Sequence, residues 1–133
     1  FAARALTWDS VALCTSHVEI DLGNSVIMRE CVNASDRSGY VSALVTNRAP
    51  VITADPESVL VATQDRDAHW LSSLPYSLVA RVGASGSAIT FTASKAQLEN
   101  KQQGNRNDML TDDLTWLATA GSSVDTELTI AFD

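Results

Sequence analysis

The chain has 133 residues, of which 45% are hydrophobic and 19% are charged, the balance of one folded domain with a core of its own. This balance excludes wholesale disorder, and no apolar run is long enough to cross a bilayer. The formal net charge of −7 disfavours a function in gripping nucleic acid, because an acidic surface repels phosphate groups.

The first residue is Phe1 rather than Met, which favours a fragment of a longer chain. Only two cysteines are present, Cys14 and Cys31, and two do not make a disulfide scaffold. A zinc site would need four ligands, which the spacing does not supply. The sequence therefore predicts two buried thiols in a reducing compartment.

Alternation of apolar and polar residues is the main structural signal along the chain. In one example, Val18, Ile20 and Leu22 face one way while His17, Glu19 and Asp21 face the other. The segments that alternate in this way are 16–22, 40–47, 77–82, 87–93 and 126–132. Gly, Asn, Asp and Ser clusters at 22–25, 33–39, 83–87 and 120–125 predict turns between them. The pattern predicts a mainly β fold, an antiparallel β-sandwich or split barrel.

One short helix is predicted, from Asp65 to about Leu74. Asp65 is a good N-cap, and the proline that follows Leu74 stops the helix. Ala68 and Leu71 are expected to pack inward against the sheet.

Residues 95–118, KAQLENKQQGNRNDMLTDDLTWLA, place a long polar run and a turn ahead of a regularly alternating strand. The adjacent Asp112 and Asp113 point to opposite faces of that strand and cannot act as a paired acid and base. Asp112 shares the face of Trp116, which is expected in the core, and an inward charge there guards against wrong strand pairing.

No pattern of residues predicts catalysis, so the chain is not expected to be an enzyme and no cofactor is expected. His17, Glu19 and Asp21 alternate and could bind a divalent ion, but a solvated strand face explains them with fewer assumptions. His69, beside Trp70, is expected either to pack against its neighbours or to lie on the surface, rather than to act in catalysis. The GASGS turn at 83–87 lacks the lysine and the following helix of a phosphate-binding loop.

Three tryptophans, Trp8, Trp70 and Trp116, leave a second class of function open. Exposed in a row, they would stack on sugar rings, as in a β-sandwich module that binds carbohydrate or a receptor. Buried in the core, they would argue against such a module.

The second half of the chain resembles the C-terminal part of the tail tube (major tail) proteins of long-tailed, non-contractile bacteriophages. The matching positions are Lys95, Ala96, Gln97 and Leu98, the turn at Gly104, Asn105 and Arg106, the strand 110–117, and Asp125, Glu127, Leu128, Ile130 and Phe132. Upstream, VTNRAPVITADPES at 45–58 is similar to the family's Arg-Ala-Pro segment and the acidic-Pro-Glu step after it. The likeness covers roughly the last ninety residues well and the first forty weakly. Asn105 and Asn107 stand where the family has acidic turn residues, and Asp108 stands at its turn glycine.

The resemblance implies a single β domain over residues 1–133, the C-terminal part of a longer tail tube chain. Such proteins form stacked rings around a tape-measure protein, in a tube through which DNA later passes without specific binding. Identical subunits, within and between rings, are the implied partners, and no membrane is involved. The implied location is the virion tail, with assembly in the cytoplasm of the host bacterium. A related tube of a bacteriocin or secretion particle would share this architecture.

Within that resemblance, the polar run is interpreted as a wet contact between identical subunits that sets their register. The interface candidates are Lys95, Gln97, Glu99, Lys101, Gln103, Asn105, Arg106, Asn107 and Asp108. A solvated surface loop is the alternative interpretation of the same residues.

Overall fold

The computed structural model describes residues 4–35, 38–84, 86–123 and 125–133. These residues form ten strands and one helix. In chain order they are β1 (Arg4–Trp8), β2 (Val11–Ala12), β3 (Val18–Asp21), β4 (Ser25–Glu30), β5 (Tyr40–Asn47), β6 (Val51–Ala54), α1 (Arg66–Ser72), β7 (Pro75–Ala84), β8 (Ser87–Arg106), β9 (Met109–Ala118) and β10 (Thr129–Phe132). The predicted mainly β class with one short helix is confirmed.

Eight strands form one antiparallel sheet in the order β2-β1-β7-β8-β9-β6-β3, with β10 paired to β8 beside this path. The first part of β8 lies between β7 and β10, and its last part pairs with β9. The rings of Trp8 in β1 and Trp116 in β9 have centroids 5.3 Å apart, although β7 and β8 separate the two strands in the sheet. The sheet must therefore fold over itself into two layers, as in a β-sandwich.

The core lies between these layers. Its fully buried members include both of these tryptophans, Ile52, Leu78 and Leu114, and Trp8 also contacts the ring of Tyr76 edge-on. The prediction that Trp116 lies in the core is confirmed. His69 packs against the rings of Trp8 and Tyr76, with centroids 5.0 and 4.3 Å away. This position confirms the first of the two positions predicted for His69, packing against its neighbours.

Helix α1 begins where the sequence predicts, because the Asp65 carboxylate accepts a hydrogen bond from the backbone N–H of Ala68 at 2.9 Å. The predicted buried face is wrong. Ala68 and Leu71 are exposed, and Arg66 is the buried residue of the helix. The buried carboxylate of Asp112 explains this orientation, since it accepts a hydrogen bond from Arg66 Nη1 at 2.6 Å.

Two hairpin turns use non-glycine residues with positive φ, Asp9–Ser10 and Asn107–Asp108. The sequence predicts that the turn between β8 and β9 starts at Gly104. This start is wrong, because Gly104, Asn105 and Arg106 still belong to β8. Parts of the other predicted turns, residues 36–37, 85 and 124, lie outside the described residues. Among the residues described, no helix combines the length and the hydrophobicity needed to span a membrane.

Gly83, near the end of β7, has no room for a side chain. Its φ is +117°, and an added Cβ would lie 2.3 Å from the carbonyl oxygen of Ser87. Gly86 has φ of +82°, but nothing lies within 4 Å of its Cβ position. We expect Gly86→Ala to cost about 1–2 kcal/mol from left-handed strain alone, and Gly83→Ala to cost clearly more. Urea unfolding of both variants checks this, and equal losses would contradict it.

Candidate assembly interface

Strands β4 and β5 form a separate two-stranded arm that contacts no other strand or helix of the described chain. It prolongs the antiparallel pair of β3 and β6, since β4 follows β3 and β6 follows β5. Six residues of β4 at about 3.3 Å each give the arm a reach of roughly 20 Å before its tip. The arm therefore extends from one end of the sandwich.

The arm exposes apolar side chains on both of its faces. Val26 and Met28 lie on one face, 60% and 56% exposed, and Val45 pairs with Val26 beside them. Ile27 and Leu44 form a pair on the other face and are also exposed. The span of β5 confirms the strand predicted at 40–47, but the prediction that it is half-buried is wrong for the single chain. The alternation of apolar and polar residues predicts the strand, but it does not show what covers the apolar face of that strand.

The base of the arm is fixed to the sandwich by a narrow neck. Gly23 has φ of +57°, and an added Cβ would lie 2.2 Å from the carbonyl oxygen of Ala49 in the opposite chain segment. The Asp21 carboxylate accepts a hydrogen bond from the Gly23 N–H at 2.9 Å. Arg48 forms an ion pair with Asp125, which joins the neck to the segment before β10. These contacts fix the orientation of the arm relative to the sandwich.

The predicted interface residues 95–108 lie along β8 and its turn with β9, as an ordered hairpin rather than a loop. Most of the candidates are exposed, namely Lys95, Glu99, Gln103, Asn105, Asn107 and Asp108, while Gln97 is half-buried. Lys101 Nζ donates to the Asp67 carboxylate of α1 at 2.6 Å, and only 14% of its side chain is exposed. Arg106 also makes contacts within the chain. The role of this surface in assembly stays a prediction.

Arg106 joins the tip of the β8–β9 hairpin to the chain segment that follows β6. Its guanidinium lies 3.1 Å from a carboxylate oxygen of Asp55 and 2.9 Å from one of Glu57. Asp55 also accepts hydrogen bonds from Thr15 Oγ1 at 2.6 Å, Ser16 Oγ at 2.6 Å and the His17 N–H at 2.8 Å. The Asp55 carboxylate, at the end of β6, thus contacts both the segment before β3 and the tip of the β8–β9 hairpin.

This arrangement holds the pKa of Asp55 well below its ordinary value of 3.8. Partial burial alone would raise the pKa, but the hydrogen bonds from Ser16, Thr15, His17 and Arg106 lower it by more. A carboxylate whose pKa is depressed by folding stabilises the fold at pH values above about 4. That stabilisation is lost as the pH falls below the unfolded-state pKa.

We expect Asp55→Asn to lower the free energy of unfolding at pH 7 by about 1–3 kcal/mol, because charge-assisted hydrogen bonds are replaced by neutral ones. The difference from wild type should shrink as the pH falls from 4 towards 2. Urea unfolding followed by circular dichroism at pH 7, 4 and 3 measures it. A difference that stays constant with pH would show that the charge of Asp55 contributes nothing.

An apolar groove of about 460 Å³ opens beside β3. Apolar side chains from β1, β3, β7 and β8 and from the segment after β2 line it: Leu6, Leu13, Val18, Ile20, Val82 and Phe91. Arg4 and Arg81 also line the groove, and Arg81 Nη2 donates to the Asp133 carboxylate at 3.0 Å. We call this the β3 groove. It lies where the free edge strand β3 passes over the other layer.

Within the described part of the chain, the remaining candidate groups show no arrangement for metal binding. His17 Nε2 lies 3.7 Å from the Glu19 carboxylate, and no group of three His, Cys, Asp or Glu residues there is placed to hold a metal ion. Cys14 and Cys31 are free thiols, as expected, but Cys14 is exposed and Cys31 half-buried, so their predicted burial is wrong. A hydrogen bond to the Glu57 carboxylate, and the negative charge of that carboxylate, raise the pKa of the Cys14 thiol.

The residues that sequence reasoning missed are the exposed ones of the arm. A signal was present in Ser25-Val26-Ile27-Met28, since three consecutive apolar residues in a strand place apolar groups on both faces. Such a strand is either buried on both sides within its own chain or covered by another molecule. The described chain covers neither side of this one.

No protein-family model matches the chain, and no curated protein sequence matches it. Among solved structures, the chain is similar to the cryo-EM structure of the anti-feeding prophage cap, described as the AFP tube terminating cap. The superposition has a TM-score of 0.66 at 11% sequence identity and covers 98% of this chain and 88% of that chain. The chain therefore has the fold of the anti-feeding prophage cap.

Proposed function

We propose that this chain is a structural subunit of a phage-tail-related particle and associates there with identical copies and with other tail proteins. The fold shared with a tube terminating cap supports this role, as does the resemblance of residues 45–58 and 95–132 to tail tube proteins. The observation that carries the proposal is the arm, which exposes apolar side chains on both faces. A two-stranded hairpin on its own is marginally stable in water, so a neighbouring subunit is needed to cover it.

Within this role, we infer that identical subunits form a ring with a central channel. A tube subunit would stack such rings around a tape-measure protein and later let DNA pass. A cap subunit would instead end the tube after a single ring. A net charge of −7 suits a channel that does not retain DNA, and we assign the chain no catalytic step.

Negative-stain electron microscopy with light scattering, across a concentration series of the chain, tests the proposal. Stacked rings or tubes with a central hole would support a tube subunit, and single rings that do not stack would support a cap. A chain that remains monomeric at every concentration would overturn the structural role. When rings do form, their addition to a purified tube from the same particle separates the two forms, because a cap ends the tube whereas a tube subunit lengthens it.

The rival function, a carbohydrate- or receptor-binding module, depends on exposed aromatic side chains. Trp8 and Trp116 are buried in the core, and Trp70 is the one tryptophan of the three that is exposed. The indole N–H of Trp70 donates to the Glu99 carbonyl at 3.1 Å, which fixes the ring against β8. A single ring is a small platform for a sugar. A monomer that binds glycans on an array would nevertheless favour this rival.

A further inference from the structure

We propose that the arm of one copy lies in the β3 groove of a neighbouring copy. This inference rests on the proposed function and adds to it a specific pair of surfaces. The occupant of the groove is thus a second copy of this chain, and the contact runs from the arm of one subunit to the sandwich of the next.

The two surfaces match in chemistry: the apolar side chains of the arm are exposed, and the groove is open to solvent, with Val18, Ile20 and Phe91 half-buried and Val82 exposed along it. The arm has a predominantly apolar face formed by Val26, Met28, Val41, Ala43 and Val45. The groove is concave and lined mainly by apolar side chains, and the arm strands contact none of the strands that line it. Seating the arm there would remove apolar surface from water on both partners, the main driving force for association.

Charge complementarity supports the groove as the site where the arm lies. Glu30 is exposed at the end of β4, near the tip of the arm, and Arg4 is exposed at the rim of the groove. Within the described residues, neither side chain has an oppositely charged group within 4.0 Å. The other arginine of the groove, Arg81, is already paired with Asp133. We therefore pair Glu30 of one copy with Arg4 of the next.

The contact joins two different surfaces, so an open chain of copies keeps a free arm at one end and a free groove at the other until it closes. Such heterologous contacts generate rings when the rotation between copies closes and filaments when it does not. The inferred contact is thus of the kind that a ring requires, whereas an arm-to-arm contact would stop at a dimer.

Charge reversal provides the test. Glu30→Arg alone and Arg4→Glu alone each place like charges opposite one another, and each should raise the concentration needed for half-assembly by about tenfold or more. The double variant Glu30→Arg/Arg4→Glu should assemble like wild type. An equimolar mixture of the two single variants should also assemble, because alternating copies restore both kinds of contact. Asp113→Arg with Arg4→Glu is the matched control and should not be rescued, because Asp113 is exposed on β9, outside the arm and the groove.

The native cysteines supply a second readout that needs no substitution. Cys31 follows Glu30 on the arm, and Cys14 lies between Leu13 and Thr15, which both line the groove. A short bis-maleimide linker applied to assembled wild-type chain, mixed from ¹⁴N- and ¹⁵N-labelled copies, should give Cys14–Cys31 links between copies in peptide mass spectra.

The outcomes separate this inference from the proposed function. Rings that form but show no rescue by the double variant, or only Cys31–Cys31 links, would overturn the arm-to-groove contact and leave the structural role intact. Failure of the wild-type chain to assemble at any concentration would overturn both. Circular dichroism of each variant checks that the fold is retained.

Discussion

Replacing Arg66 with alanine is expected to lower the free energy of unfolding by about 3–5 kcal/mol, the cost of breaking a buried ion pair from one side. Arg66 and Asp112 are 3% and 5% exposed, and Arg66 Nη1 lies 2.6 Å from the Asp112 carboxylate. The same guanidinium donates to the Glu57 carbonyl at 3.0 Å and to the Gln64 side chain at 3.2 Å. Loss of Arg66 leaves the buried Asp112 charge, the buried Gln64 side chain and the part-buried Glu57 carbonyl without these donors. Denaturant unfolding followed by circular dichroism measures the effect.

The control is the double variant Arg66→Met/Asp112→Leu, which replaces the pair with apolar groups of similar size. Because burying two charges costs much of what their attraction returns, this variant should recover most of the loss. If the double variant is as unstable as Arg66→Ala, the stability lost comes from the contacts of Arg66 with Glu57 and Gln64, and the buried charge is not the cause.

The second large effect is expected on assembly rather than on folding. The triple variant Val26→Ser/Met28→Ser/Val45→Ser should abolish ring formation at concentrations where wild type assembles, because it removes the apolar face of the arm. Its unfolding free energy should change by only about 0.5 kcal/mol per substitution, as expected for exposed positions. Light scattering and electron microscopy measure assembly, and denaturant unfolding measures stability.

Leu71→Ser is the matched control for the arm variant. Leu71 is 81% exposed on α1 and lies outside the arm, so its replacement removes a comparable apolar group from another surface. It should leave assembly unchanged. Rings formed equally well by the triple variant would show that the apolar face of the arm is not part of the contact between subunits.

Local chemistry made several elements predictable from the sequence. Asp65 caps α1 as expected, since a carboxylate satisfies free backbone N–H groups wherever the helix packs. The alternation at 77–82 and 110–117 is that of strands with one buried face, and Leu78, Leu114 and Trp116 are buried there. Such features depend on neighbours in the sequence, which are visible before folding.

The errors arose where burial depends on partners distant in the sequence. Arg66 is buried because Asp112, 46 positions later, supplies its counter-charge. The alternation of β9 predicts that Asp112 points inward, but it does not show which residue pairs with it, and an arginine is assigned to the surface by default. Because the ion pair with Asp112 turns the Arg66 side of α1 inward, the apolar side chains of Ala68 and Leu71 face solvent. The strand at 40–47 was assigned a buried face that the single chain does not provide, because alternation does not reveal which surface covers a strand.

The polar run at 95–106 illustrates a third limit. Its amides and charges suggested a surface loop or an interface, yet it forms the second part of one long strand, β8, because β9 supplies backbone partners along its length. Backbone pairing needs no apolar side chains, so composition alone did not distinguish a loop from a solvated strand. The assignment of its exposed residues to contacts between subunits remains a prediction.

The passage of β8 through both layers has a consequence for how the molecule opens. β8 pairs with β7 and β10 in its first part and with β9 in its last part, so one continuous strand links both layers, and the sandwich should exchange its amide protons as a single cooperative unit. In the part of the chain that the structure describes, the arm is joined to the sandwich through its neck alone, so it can lose its structure on its own. Amide protection of the arm in the monomer should therefore be low, and it should rise when a neighbour covers it.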